Sequence, residues 1–207
     1  MRVIGLTGGI GTGKSEVSAT LRALGAEIID ADAEAHSSYR QGTMGWRRLL
    51  EMFGDEILGR DGEIDRRKLG QLVFGSPQAL AWLNAAIHPL VRDRVSARLR
   101  ELSENGTDVA VVDAALLYEA GWDDLTDEVW AVTAPPVQAA ERLVVQRGLE
   151  DWEAQRRIDA QSPPDTVASR ADVVIENAGT LEQLRETVTL LWNERILSRG
   201  DGQHGGD

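Results

Sequence analysis

Gly8-Gly9-Ile10-Gly11-Thr12-Gly13-Lys14-Ser15 is the stretch that decides how this chain folds. It satisfies G-x-x-x-x-G-K-[ST] and has the flanks that pattern needs. An apolar run, Val3 to Leu6, precedes it, and a segment with Val17, Leu21 and Leu24 on one helical face follows. Strand, glycine loop and helix in that order make an anion cradle. The glycines let the backbone wrap with its N–H groups inward, and the helix N-terminus adds further amides. The pattern therefore assigns ATP to Gly9, Ile10, Gly11, Thr12, Gly13, Lys14 and Ser15. Lys14 bridges the β- and γ-phosphates, and the Ser15 hydroxyl ligates Mg²⁺.

Working outward, Gly25 is placed to stop the helix, and Ala26 to Ile29 reads as a second buried strand that ends at Asp30 and Asp32. Ligands of open α/β sheets bind at that edge, where a carboxylate can take the proton of an attacking hydroxyl; Asp32 is the candidate base. Asp30 reads equally well as the cap of a helix starting near Ala33. From about 33 to 104 the pattern is helical, with turn signals at Gly42, Gly54, Asp61-Gly62, Ser76-Pro77 and His88-Pro89. This is a long helical insertion. Val109 to Val112, Val129 to Val132 and Val173 to Ile175 complete five short apolar runs alternating with helices, which predicts a five-stranded parallel sheet in an α/β, P-loop NTPase fold. A polar segment at about 137 to 161, with Arg142, Arg147, Arg156 and Arg157, reads as a lid, and Leu181 to Leu197 as a final packing helix. Residues 1 to 197 thus form one P-loop domain, and the Gly-rich 198 to 207 a disordered tail.

Composition narrows the function. A formal charge of −12, from 22 Lys plus Arg against 34 Asp plus Glu, argues against nucleic-acid binding, which rests on neutralising phosphates. With no Cys there is no disulfide or thiolate chemistry, as suits a reducing cytoplasm. No apolar run approaches the roughly 20 residues of a membrane span, and neither a signal peptide nor an anchor is read. A GTPase would carry N/T-K-x-D after a late strand, where this chain has Thr133-Ala134-Pro135-Pro136 and Glu176-Asn177-Ala178-Gly179. Motor ATPases need more assembly surface than 207 residues offer. A small-molecule kinase is left, with a non-catalytic ATP-binding regulator as the alternative of another class.

Along nearly its whole length the chain resembles dephospho-CoA kinases. Gly5 to Ser15 is similar to that family's extended phosphate loop, and Ile29-Asp30-Ala31-Asp32 to its D-A-D segment. Phe53-Gly54, Asp65-Arg66, Val73-Phe74, Leu83-Asn84 and His88-Pro89 follow in the family's order. Leu116-Leu117-Tyr118-Glu119 is like its P-L-L-F-E, and Gln138, Arg142, Gln161, Ala171-Asp172, Ile175 and Asn177 complete the set. The resemblance implies transfer of the ATP γ-phosphoryl to the ribose 3′-hydroxyl of dephospho-CoA, the last step of coenzyme A synthesis. It implies that the insertion from about 33 to 104 binds the acceptor, that Asp32 is the base, and that Lys14 and Arg142 act on the transferred charge. Arg147 or Arg157 would assist from the lid, and Thr7, Asp32, His88, Leu116, Leu117 and Glu119 would lie along the acceptor. Another small-molecule or nucleotide kinase would keep the ATP residues and change the acceptor site. Two positions depart from the family. Ala114-Ala115 stands where a residue and Pro are usual, predicting a less rigid backbone, and Gln146 replaces an Arg, with Arg147 beside it. His88, just before Pro89, reads as extended or turn backbone, contacting acceptor or filling a structural role.

Overall fold

The computed structural model describes residues 1–161 and 163–198, apart from the side chains of Phe74, Gln146 and Pro164. The expected tail lies outside the described residues from Arg199 on, as does the Gln146 side chain. In chain order the strands are β1 (Arg2–Gly8), β2 (Glu27–Asp30), β3 (Val109–Asp113), β4 (Glu128–Thr133) and β5 (Val173–Glu176). The helices are α1 (Lys14–Ala23), α2 (Ala31–Ser38), α3 (Met44–Phe53), α4 (Arg66–Phe74), α5 (Pro77–Glu104), α6 (Pro136–Arg147), α7 (Asp151–Asp159), α8 (Pro164–Ala168) and α9 (Leu181–Trp192). The chain divides into two compact units, one of Met1–Ile29 with the segment from Asn105 onward, the other of Asp30–Glu104.

The first unit holds a five-stranded parallel sheet in the order β2-β3-β1-β4-β5. All five apolar runs are strands, and β1 lies at the centre, paired in parallel with β3 and β4. Ile4, Leu6, Val111, Trp130, Val132 and Ile175 on the strands meet Val17 and Leu21 of α1 and Leu184, Val188 and Trp192 of α9 in one buried cluster. Each fully buried aliphatic side chain there stabilises the fold by about 1.5–3 kcal/mol. α1 stops just before Gly25, as its sequence predicts. Gly25, at φ 106, donates to Arg22 O at 3.1 Å, and Ala26 donates to Leu21 O at 3.0 Å. These two bonds are a Schellman ending. The polar stretch expected to be a lid is two helices: α6 ends at Gly148 (φ 64), whose amide donates to Val144 O at 3.0 Å, before α7 begins. The final helix likewise changes character after Trp192, running on as one wider π-type turn, Asn193–Leu197.

The second unit is four helices built on α5, which packs against α2, α3 and α4. Asp30, Thr43 and Asp65 cap α2, α3 and α4 with their side chains, and the Ser76 hydroxyl accepts from the amide of Ala79 at the start of α5. The turn expected at His88-Pro89 is not there: α5 runs through both residues for 28 residues. Pro89 removes one hydrogen bond and costs about 3 kcal/mol in a helix interior. The buried row Ala79, Ala86, Ile87, Val91, Val95, Leu99 and Leu102 outweighs that loss and keeps the helix whole. Among the described residues no helix is long and apolar enough to cross a membrane.

Candidate phosphate-transfer site

The loop leaves β1 at Gly8 and enters α1 at Gly13, whose φ of 96 places it in the left-handed region. A glycine brings no capping side chain, so α1 opens without one, unlike α2, α3, α4 and α9. Its first-turn amides are thereby offered to an anion. Within the loop, the Thr12 hydroxyl donates to the carbonyl of Gly9 at 2.8 Å. Asn177, 7% exposed just past β5, donates its Nδ2 to Thr12 O at 2.8 Å, while its own amide donates to Thr133 O at 2.8 Å. A Cβ on Gly13 would strike that Asn177 Nδ2, so this glycine is required for its backbone and for its close approach alike.

Arg142, on α6, grips the same structure from outside. Its guanidinium donates to Gly11 O (3.4 Å), Asn177 O (3.0 Å), Asn177 Oδ1 (3.3 Å) and Gln138 Oε1 (3.4 Å). The loop's trailing half, Gly11 to Gly13, is therefore braced by Arg142 and Asn177. At its leading half the amide of Ile10 donates to Gln161 Oε1 at 2.7 Å. Arg147, by contrast, is exposed at the last position of α6.

Lys14 Nζ is ion-paired with Asp113 Oδ1 at the end of β3, and both side chains are largely buried. The register pairs Leu6 with Asp113, which sets this carboxylate level with the root of the loop. Asp113 belongs to no motif, and its one signal in the sequence is an apolar run that ends in an acid at a strand's C-terminal edge. Ser15 is exposed in the first turn of α1, next to Lys14. A hydroxyl and a carboxylate are hard oxygen donors of the kind Mg²⁺ accepts beside phosphate oxygens and water. Among the described residues no group of three or more His, Cys, Asp or Glu makes a cage of protein ligands.

The segment after β3 is fixed more firmly than its missing proline suggested. Ala114 donates to Leu6 O at 3.0 Å, and the buried Thr7 donates its hydroxyl to Ala115 O at 3.3 Å. Leu116 is 45% exposed, whereas Leu117 is fully buried, with its Cδ2 2.8 Å from where a Cβ on Gly5 would be. Of the pair, Leu116 is the one open to a ligand. The Tyr118 ring lies 3.9 Å from the Arg170 guanidinium, and burial raises its hydroxyl pKa above the ordinary value; Glu119 follows it in the same turn.

In the second unit, Asp30 caps α2 by accepting from the amide of Ala33 at 2.9 Å, and Asp32 sits in the helix's first turn rather than on the strand. His36 follows one turn later, 5.8 Å edge-on from the ring of Tyr39. Burial, with help from Arg66, lowers the His36 pKa, while Asp32 and Asp30 pull it upward. Burial raises the Tyr39 hydroxyl, opposed by Arg66. His88 lies in the middle of α5. The loop residues, Lys14, Ser15 and Arg142 thus belong to the first unit, as do Thr7, Leu116, Leu117 and Glu119, and Asp32 and His88 to the second.

The sequence model of the dephospho-CoA kinase family matches residues 2–183. The dephospho-CoA kinase of Geobacter sulfurreducens is 44% identical over 196 residues, 95% of this chain and 100% of that protein. Among solved structures, the Thermus thermophilus protein TT1252 superposes with a TM-score of 0.79 at 34% identity, covering 94% of this chain and 97% of that one. The dephospho-CoA kinase of Campylobacter jejuni shares the fold at a TM-score of 0.71 and 23% identity, covering 96% of this chain and 100% of that one.

Proposed function

The chain belongs to the dephospho-CoA kinase family, and from this premise we infer how its own residues divide the reaction. The enzyme phosphorylates dephospho-CoA with ATP, completing coenzyme A. The 3′-oxygen of the acceptor ribose forms a bond to the γ-phosphorus, the bond from that phosphorus to the β–γ bridging oxygen breaks, ADP leaves, and the hydroxyl proton goes to Asp32. Phosphoryl transfer of this kind is mostly positioning and charge stabilisation. The observation that carries the assignment is the wrapped loop at the C-terminal end of β1, with Lys14 held by Asp113 at its floor.

In this reading the loop from Gly9 to Ser15 holds the phosphates through its amides other than that of Ile10, which donates to Gln161, and Lys14, kept in place by Asp113, lies against the β–γ linkage where negative charge grows. Ser15 and Asp113 would hold Mg²⁺, which when bound neutralises phosphate charge. Arg142 keeps the loop in shape through the Gly11 carbonyl, and its charge adds to the field there, with Arg147 or Arg157 contributing from the lid. Thr7 fixes the Ala115 carbonyl and so the Leu116–Glu119 turn, which would contact the acceptor, and His88 of α5 is a further proposed acceptor contact. A cytoplasmic setting fits a cysteine-free, acidic chain.

The base is tested by Asp32→Asn. Turnover should fall by about 10²–10⁴ while ATP binding, read by calorimetry, stays near wild type. Near-wild-type turnover in that variant would rule out Asp32 as the base.

A further inference from the structure

The leading half of the phosphate loop has a holder of its own, and it comes from the end of the lid. Gln161 Oε1 accepts from the amide of Ile10, across 151 residues of chain. Gln161 is fixed in turn to α7, because its own amide donates to Ile158 O at 3.0 Å and that of Ala160 to Arg156 O at 3.2 Å. Its side chain therefore extends directly from a helix whose last turn carries Arg156 and Arg157. These guanidiniums rest on the helix itself, Arg157 on Glu153 at 2.8 Å and Arg156 over the Trp152 ring at 5.4 Å.

Gly9 supplies the second observation. Gly11 and Gly13 have φ of 78 and 96, but Gly9 is not among the glycines with positive φ, so its backbone does not demand glycine. What its missing side chain supplies is room. A Cβ there would come within 2.8 Å of Gln161 Oε1, and the next nearest residue, Thr12, is 3.6 Å away.

We propose that Gln161 is a positioning residue for phosphoryl transfer: its carbonyl, seated over Gly9 on the Ile10 amide, ties the root of α7 and its two arginines to the phosphate loop. The inference rests on the loop's being the ATP site and adds the residue that sets the lid's distance from it. A neutral carbonyl is suited to the task, since it accepts the hydrogen bond from the Ile10 amide without bringing a negative charge beside the polyphosphate. Once the tie is lost, the arginines are no longer placed, and a misplacement of about 1 Å costs on the order of 100-fold in rate.

Four variants test it by steady-state kinetics with ATP and dephospho-CoA, each with a thermal melt. Gln161→Met keeps the size and removes the acceptor oxygen; Gly9→Ala displaces that oxygen and leaves the glutamine. The third is Arg156→Gln with Arg157→Gln, and the fourth adds Gln161→Met to that pair. Gln161→Met should lower kcat about 10- to 100-fold while KM for dephospho-CoA and the melting midpoint hold, and Gly9→Ala should follow it. Adding Gln161→Met to the arginine pair should cost little more, because both act through the same guanidiniums. Wild-type kcat in Gln161→Met, or losses that multiply in the combined variant, would overturn the proposal. If Gln161→Met melts early, Gly9→Ala carries the same comparison. An inactive wild type would strike the reading of the site itself, whereas an active wild type with an unaffected Gln161→Met strikes this inference alone.

Discussion

The two ends of the central sheet treat charge in opposite ways. At the N-terminal end Glu128, 4% exposed, opens β4 and accepts from Arg195 Nη2 (2.8 Å) and Nε (2.9 Å), Arg2 Nη2 (3.2 Å) and the Trp130 indole (3.0 Å). Arg2 Nη1 also donates to Arg195 O at 3.0 Å. This closes the cluster and staples the π-type turn Asn193–Leu197 to β1 and β4. At the C-terminal end Lys14 also meets a carboxylate, Asp113, but beside a wrapped loop and a helix N-terminus with no side-chain cap. A closed cluster spends its charge on holding the fold together. An open one leaves positive potential for a ligand.

That contrast is broken most directly at the open end. Lys14→Ala removes charge from ground and transition states alike, and turnover should fall by at least about 10²–10³ with little change in the melting midpoint. Equal losses of rate and stability would mean that the Lys14–Asp113 pair is also a structural staple. Glu128→Ala should do the reverse. It leaves two arginines facing one another without their carboxylate and should cost about 3 kcal/mol in urea unfolding, with kcat per folded molecule unchanged. A catalytic defect at full stability would contradict the division between the two ends. Asn177→Ala sits between these cases, since it frees a loop carbonyl from its brace. It should cost about 1 kcal/mol of stability and raise KM for ATP severalfold, and an unchanged KM would show that the loop keeps its shape without the brace.

The smallest effect lies away from both ends. His36 has a pKa held below its ordinary value of 6.5, by burial first and by Arg66 next. A group whose folded pKa is depressed stabilises fully above its unfolded value and loses that contribution as pH falls through the folded one. Unfolding free energy should therefore drop as pH is lowered from 6.5, and His36→Gln should flatten that slope. A slope identical in the variant would assign the acid sensitivity to other groups.

How much of this was legible depends on how local each feature is. The five strands and the loop could be read because an apolar run beside a glycine cluster is decided within a few residues. His88-Pro89 misled because the local preference for a turn yielded to a row of buried side chains along the whole of α5. The Gly148 break between α6 and α7 had a local signal, a lone glycine after Arg147, that the polar helical pattern masked. Asp113 showed only as the end of an apolar run, and its importance came from pairing β3 beside β1. The contacts from Gln161 to Ile10 and from Arg195 to Glu128 join positions 151 and 67 residues apart and leave no periodic trace.

The most direct test incubates the purified protein with ATP, Mg²⁺ and dephospho-CoA, with adenosine and a nucleoside monophosphate as rival acceptors, and follows the products by mass spectrometry. Selective formation of coenzyme A with one ADP per turnover is the predicted result. Preferred phosphorylation of a rival acceptor, or ATP binding with no acceptor phosphorylated, would contradict the account.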